Sequence, residues 1–177
     1  MMKILETNRL VLRTFTMDDA PFYLALVNEP GWLRFIGNRG LSQLEDTRTA
    51  ILTGPVAMYE RLGFCLYVVE QKTGVEANTS IGICGLIKRD QLDDVDLGFA
   101  FLAEYGGYGY ALEAAQATMD YANSTLGLKR VVAITSPDNI SSIKLLQKIG
   151  FKFEKMMTFK STNPDAPDTQ LFGYEFN

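Results

Sequence analysis

Apolar and polar residues change period several times along the chain, and each change marks an element. "RLVLRTF" (Arg9 to Phe15) alternates, as a half-buried strand does. "TMDD" then places Thr16 as a helix cap with Asp19 three residues on, which predicts a helix to about Val27. "EPGW" ends that helix, and an irregular stretch is expected to Gly40. "SQLE" (Ser42 to Glu45) reads as a capping box for a helix to about Leu62, kinked at Gly54-Pro55. "FCLYVVE" and "SIGICGLIKR" read as strands joined by a polar hairpin loop. "DVDLGFAFL" (Asp94 to Leu102) is a third apolar strand.

The second half reads strand, helix, strand, helix, strand, strand. "EYGGYGYALEAAQATMDYA" runs from a glycine loop into an alanine-rich helix. "RVVAIT" (Arg130 to Thr135) is apolar and β-branched enough for a central strand. "SPDNISSIKLLQKIGF" is a short helix capped by Asp138 or Asn139 and ended by Gly150. "FKFEKMMTFK" and "TQLFGYEF" are the last strands. An antiparallel meander followed by this order predicts a mixed α/β sheet.

Composition bounds what such a sheet does. The chain has 177 residues, 47% of them apolar, which suits one domain over 1–177. The net charge of −4, with basic residues scattered singly, argues against nucleic acid as a partner. No apolar run suits a leader or a membrane span, so no membrane partner and a cytoplasmic location are expected. Cys65 and Cys84 lie inside apolar runs and read as buried, reduced thiols, and no spacing suits a zinc site. Histidine is absent. That removes Ser-His-Asp and Cys-His nucleophiles and histidine metal ligands, so no metal is expected and proton transfer falls to a carboxylate, tyrosine, thiol or water.

The glycine loop narrows the chemistry further. Backbone N–H groups at a helix start lack internal partners and face the positive end of the macrodipole. Gly106, Gly107 and Gly109 let the chain curl around an anion, phosphate first of all. The alternative is a turn with a packing role only. No Gly-Lys-Ser/Thr ending marks a nucleotide triphosphatase, and Gly107-Tyr108-Gly109 does not complete a dinucleotide fingerprint.

"GGYGYA", "EAAQATMDYA", "LGLKRVVAITSPDNISSIKLLQKIGF" and the opening "LETNRLVLRTFTMDDA" together resemble the GNAT acetyltransferase family. The likeness is to the branch containing the ribosomal-protein N-terminal acetyltransferases, and it spans nearly the whole chain. It implies a mostly antiparallel sheet, splayed at its centre and flanked by helices. It also implies that acetyl-CoA binds through backbone amides at Gly106 to Ala111, with Gly106, Gly107, Gly109, Tyr110 and Ala111 as its cradle. Gly106, Tyr108 and Ala103 depart from the common residues in and before the signature, which reduces side-chain help to the phosphates but leaves the backbone donors.

By the same resemblance, Phe101 gives a backbone contact in a strand splayed from "RVVAIT". Asn139 contacts the pantetheine arm or the adenylate side of the coenzyme, and the Ser142 position can protonate the leaving thiolate. From the residues alone, Asn139 also reads as a helix cap and Ser142 as an exposed helix serine. Asp96 is a carboxylate among apolar residues and the candidate base; an ion pair with a surface lysine and a water relay are its alternatives. Alternation puts Asp94, Asp96 and Gly98 on one face. The acceptor, a peptide N-terminus or small amine, should meet Trp32 to Arg39, the first helices and the loop Ser161 to Thr169. Direct transfer in a ternary complex, by a monomer or homodimer, is the implied activity. A non-catalytic CoA-binding module of the same fold is the alternative.

Overall fold

The computed structural model describes residues 1–72, 78–158 and 168–177. Eight strands form one sheet: β1 (Lys3–Glu6), β2 (Leu10–Arg13), β3 (Leu66–Gln71), β4 (Ser80–Ile87), β5 (Asp96–Phe101), β6 (Arg130–Thr135), β7 (Lys152–Met157) and β8 (Thr169–Glu175). Their spatial order is β1-β2-β3-β4-β5-β6-β8-β7. Every neighbouring pair is antiparallel except β5 and β6. The mixed, mostly antiparallel α/β sheet expected from the sequence is therefore present.

The sheet opens at its one parallel junction. β4 and β5 stay in register over six pairs, from Gly82↔Phe101 to Ile87↔Asp96. β5 and β6 share a single register pair, Asp96↔Val132, supported by the Val132 N–H donating to Val95 O at 2.9 Å. Beyond Asp96, β5 is bonded on one side only, so its other edge is free to line a cleft.

Two faces bury two cores. On one, α5 (Tyr110–Ser124) and α6 (Ile140–Ile149) cover Tyr67, Cys84, Leu86, Leu97 and Val131. α5 presents Ala114, Ala115, Thr118, Met119 and Ala122, small residues spaced along one helical stripe that let it lie close to the sheet. On the other face, α1 (Ala20–Val27) and α3 (Leu44–Ile51) pack Tyr23, Leu26 and Ile51 over Phe15, Val68 and Ile83. Each large side chain so buried contributes about 1.5–3 kcal/mol. Both cysteines are free and buried, and burial pushes each thiol up to about 12.

Three local expectations change. The stretch after Glu29 is not irregular throughout: α2 (Pro30–Phe35) begins there, because Pro30 supplies a fixed φ and needs no N–H partner at the first helical position. The Ser42 capping box does not form, since the first helical bond runs from the Thr47 N–H to Gln43 O at 3.1 Å and leaves Ser42 outside. The expected kink at Gly54-Pro55 is a π turn over Leu52–Val56, followed by α4 (Ala57–Leu62). Pro55 lacks an amide, and the Ala57 N–H reaches back five residues to Leu52 O. β1 was not anticipated; its four residues are too few to show a period. Residues 73–77 of the hairpin loop, and 161–167 of the acceptor loop, lie outside the described residues.

Candidate active site

The loop between β5 and α5 has the shape the glycines imply. Gly107 and Gly109 take left-handed φ of 82° and 80°, which a residue with a Cβ rarely adopts. The first α-helical bond of α5 is the Glu113 N–H to Gly109 O at 3.1 Å, so Tyr110, Ala111 and Leu112 keep amides without an intrahelical acceptor. These residues fit a phosphate-bearing ligand such as coenzyme A: an open cradle of glycines at the positive end of a 15-residue helix.

A clamp from the far end of the chain holds this loop. Arg9 donates from Nη1 to Tyr108 O at 2.9 Å and from Nε to Glu113 Oε2 at 2.7 Å. Glu113 Oε1 also accepts from the Thr7 hydroxyl and the Arg9 N–H. The Arg9 guanidinium lies 4.6 Å over the Tyr110 ring. Although burial alone would raise the Glu113 carboxyl, its bonds to Thr7 and Arg9 hold it below the ordinary value. Arg9 and Glu113 are more than a hundred residues apart, so no local pattern pointed to the clamp.

A cavity of about 330 Å³ opens where β5 leaves β6. Phe99, Ala100 and Phe101 of β5, with Ala103, form one wall. Ala111, Asn139, Ser141, Ser142 and Leu145 form a second, and α1–α2 close it with Leu26, Glu29, Trp32, Phe35 and Ile36. Of the expected site residues, Phe101, Ala111, Asn139 and Ser142 thus meet around one space. Phe101 keeps its place through Gly82 on β4: a Cβ there would stand 2.4 Å from the Phe101 ring and 2.7 Å from Ala100 O. Asn139 does cap α6, its Oδ1 accepting from the Ser142 N–H at 3.2 Å. That bond also ties Ser142, the third residue of α6, to the cap.

The remaining expected residues sit elsewhere. Gly106, Gly107 and Gly109 are not among the residues lining this cavity, and the side chain of Tyr110 turns to a second hollow of about 250 Å³ with Gln71, Glu104, Tyr105 and Tyr108. Tyr110 Oη accepts there from Gln71 Nε2 at 2.9 Å, and its ring stacks on Tyr108. Asp96 is 1% exposed, lies at the closed end of the splay and does not line the cavity. Its partner is Arg89, whose Nε donates to both carboxylate oxygens at 3.1 and 3.2 Å, in place of a surface lysine. Burial raises the Asp96 carboxyl above its usual value, and Arg89 offsets part of that rise. Asp94 lies before the strand, bonded to Arg130 Nε at 2.9 Å, so it does not continue the face of Asp96 and Gly98.

Leu26 comes from α1, one of the first helices expected on the acceptor side, whereas Glu29 was not among the expected site residues; Pro30 was the available signal, since it starts the helix that Glu29 caps. Glu29 is half-buried and is the only charged residue among the described residues lining the cavity. Trp32 is 5% exposed, and its indole N–H has no acceptor among the described residues. Among those residues no group of three or more His, Cys, Asp or Glu gathers for a metal, and no helix is long and apolar enough to cross a membrane.

The site thus joins a sheet splayed at its one parallel pair, a glycine loop at the start of α5 and a mixed polar and apolar cavity. The acetyltransferase (GNAT) domain model matches residues 9–152, and the chain belongs to that family. It is 29% identical to the uncharacterized N-acetyltransferase YoaA of Bacillus subtilis over 97% of this chain and 96% of that protein. Its fold is shared with an acetyltransferase from Agrobacterium tumefaciens (TM-score 0.81, 24% identity, 99% and 96% of the two chains). It is shared too with RimL, a ribosomal L7/L12 α-N-protein acetyltransferase in complex with coenzyme A (TM-score 0.82, 19% identity, 98% of each chain).

Proposed function

We propose that this protein transfers the acetyl group of acetyl-CoA directly to a primary amine while both are bound. The observation that carries the reading is the continuity of the cavity. It joins the start of α5 and the Asn139 cap to the helices α1 and α2, so one space has a coenzyme side and an acceptor side.

The residues divide the work accordingly. Amides at Gly106 to Ala111 hold the pyrophosphate, and the glycine cradle supplies the close approach. The free edge of β5 near Phe101 offers backbone groups to the coenzyme arm. Asn139 turns its Nδ2, which has no acceptor among the described residues, to the same arm while its Oδ1 caps the helix. Ser142, on the cavity wall, donates its hydroxyl proton to the departing thiolate. Asp96 receives the amine proton at one remove, through a relay, because the carboxylate is near the splay but off the cavity wall. Its raised affinity for protons suits that part. The acceptor side takes an amine on a peptide N-terminus or a small molecule; the fold shared with RimL supports the former.

Free-thiol release from acetyl-CoA against a panel of amines and peptide N-termini tests the activity. Acetyl-CoA at 100 times its dissociation constant should stabilise the fold by roughly 2.7 kcal/mol. Gly109→Val puts a branched side chain at a φ of 80° and should abolish that stabilisation. Equal melting temperatures with and without acetyl-CoA in the unaltered protein would refute the reading.

A further inference from the structure

The acceptor end of the cavity has an asymmetry that the proposed activity does not use. Leu26, Trp32, Phe35 and Ile36 make it apolar and aromatic, and a single acid, Glu29, interrupts them. Nothing among the described residues neutralises that acid. No hydrogen bond or ion pair among the described residues engages its carboxylate, whereas two cations of the same segment are engaged: Arg34 faces Asp138 at 3.9 Å, and the Arg39 guanidinium lies 5.4 Å over the Trp32 ring.

Its backbone is also fixed. The Glu29 N–H donates to Leu26 O at 3.2 Å, and Glu29 O accepts from the Leu33 N–H at 3.0 Å, so the junction of α1 and α2 sets where the side chain begins. A half-buried carboxylate with no protein partner, beside aromatic rings, favours a cation that carries apolar surface. The rings bury the apolar part and, with the carboxylate, attract the charge.

We infer that Glu29 selects the acceptor: it captures the ammonium of a primary amine whose neighbouring substituent is apolar or aromatic and packs against Trp32, Phe35 and Ile36. The inference rests on the acetyl-transfer reading above and adds the acceptor's class and the residue that reads it. An acceptor with a carboxylate next to its amine is disfavoured, because that charge would meet Glu29.

The test measures acetyl transfer at varied amine concentration with phenethylamine, a Met-Phe peptide amide and glutamate as acceptors. The first two should be acetylated with at least about tenfold higher kcat/KM than glutamate. Glu29→Gln should raise their KM at least about tenfold with a smaller change in kcat, and Glu29→Asp should recover part of the loss. The stabilisation by acetyl-CoA should be the same in all three proteins. An unchanged KM in Glu29→Gln, or glutamate as the best acceptor, overturns the inference and leaves the activity standing. Acetyl-CoA binding with no transfer to the first two amines overturns the acceptor class alone. No stabilisation by acetyl-CoA and no transfer overturns the underlying reading as well.

Discussion

Two carboxylates are buried in this fold, Asp19 in the turn before α1 and Asp96 at the start of β5, each against an arginine, and they are driven in opposite directions. Asp19 is 5% exposed and Asp96 is 1% exposed. Burial pushes both upward, and the difference lies in what offsets it. Arg13 grips Asp19 with two nitrogens at 2.7 and 2.8 Å, while the Thr16 N–H adds a third bond at 2.7 Å. Those bonds outweigh burial and hold the Asp19 carboxyl below its usual value. Arg13 is itself buried and anchored by Glu70 Oε1 at 2.7 Å. Arg89 instead offers Asp96 one nitrogen at longer range and stays about a third exposed, so burial wins. Burial alone therefore does not make a proton acceptor. An incomplete set of donors does.

The largest effect should come from breaking the complete set. Asp19→Ala strips the buried Arg13 of one of its two carboxylate partners, leaving Glu70 alone to balance it, and should cost about 3–5 kcal/mol in urea unfolding. A loss under about 1 kcal/mol would remove the contrast with Asp96.

Asp96→Asn sharpens the comparison from the other side. Arg89 can return to solvent, so the stability change should be about 1 kcal/mol or less. Turnover, in contrast, should fall at least about tenfold near neutral pH if the relay ends on Asp96. Unchanged turnover on an accepted amine would make Asp96 a structural residue of the splay.

The smallest effect is in the pH dependence of unfolding. Asp19, with its depressed folded value, supplies stability that is complete above the unfolded carboxyl value of about 3.9 and is lost as pH falls through the folded one. Asp96 has the reverse sign: the folded state binds its proton more readily, so its contribution weakens as pH rises from about 3.9 through the raised folded value, then stays level. Subtracting the pH profiles of Asp19→Asn and Asp96→Asn from that of the unaltered protein should give slopes of opposite sign. Slopes of the same sign would contradict the assignment.

How far these features could be read from the chain depends on their range. The glycine loop, α5, α6 with its Asn139 cap, and the central strands follow from local period and capping, which a sequence displays directly. Thr16 and Asp19 also announced their turn. Their second role did not show, because Arg13 takes its place at Asp19 only when β2 folds over the first helix. The Arg9–Glu113 clamp and the Arg89–Asp96 pair were hidden for the same reason: one joins the chain start to α5, the other closes a turn between adjacent strands. Glu29 does not stand out in the sequence because "EPGW" reads as the end of a helix, although a proline is as well suited to begin one.

Gly82 carries a consequence of another kind. It contributes no atom to the walls of the cavity, yet the Phe101 ring that does so rests where its side chain would be. One added methyl group on β4 would stand too close to both that ring and the Ala100 carbonyl, which belong to the strand that bounds the opening, so that strand must shift. Selection can therefore resize the chamber from the neighbouring strand, without altering any group that meets its contents. Changes in acceptor preference among descendants of this protein should be sought at residue 82 as well as in the lining itself.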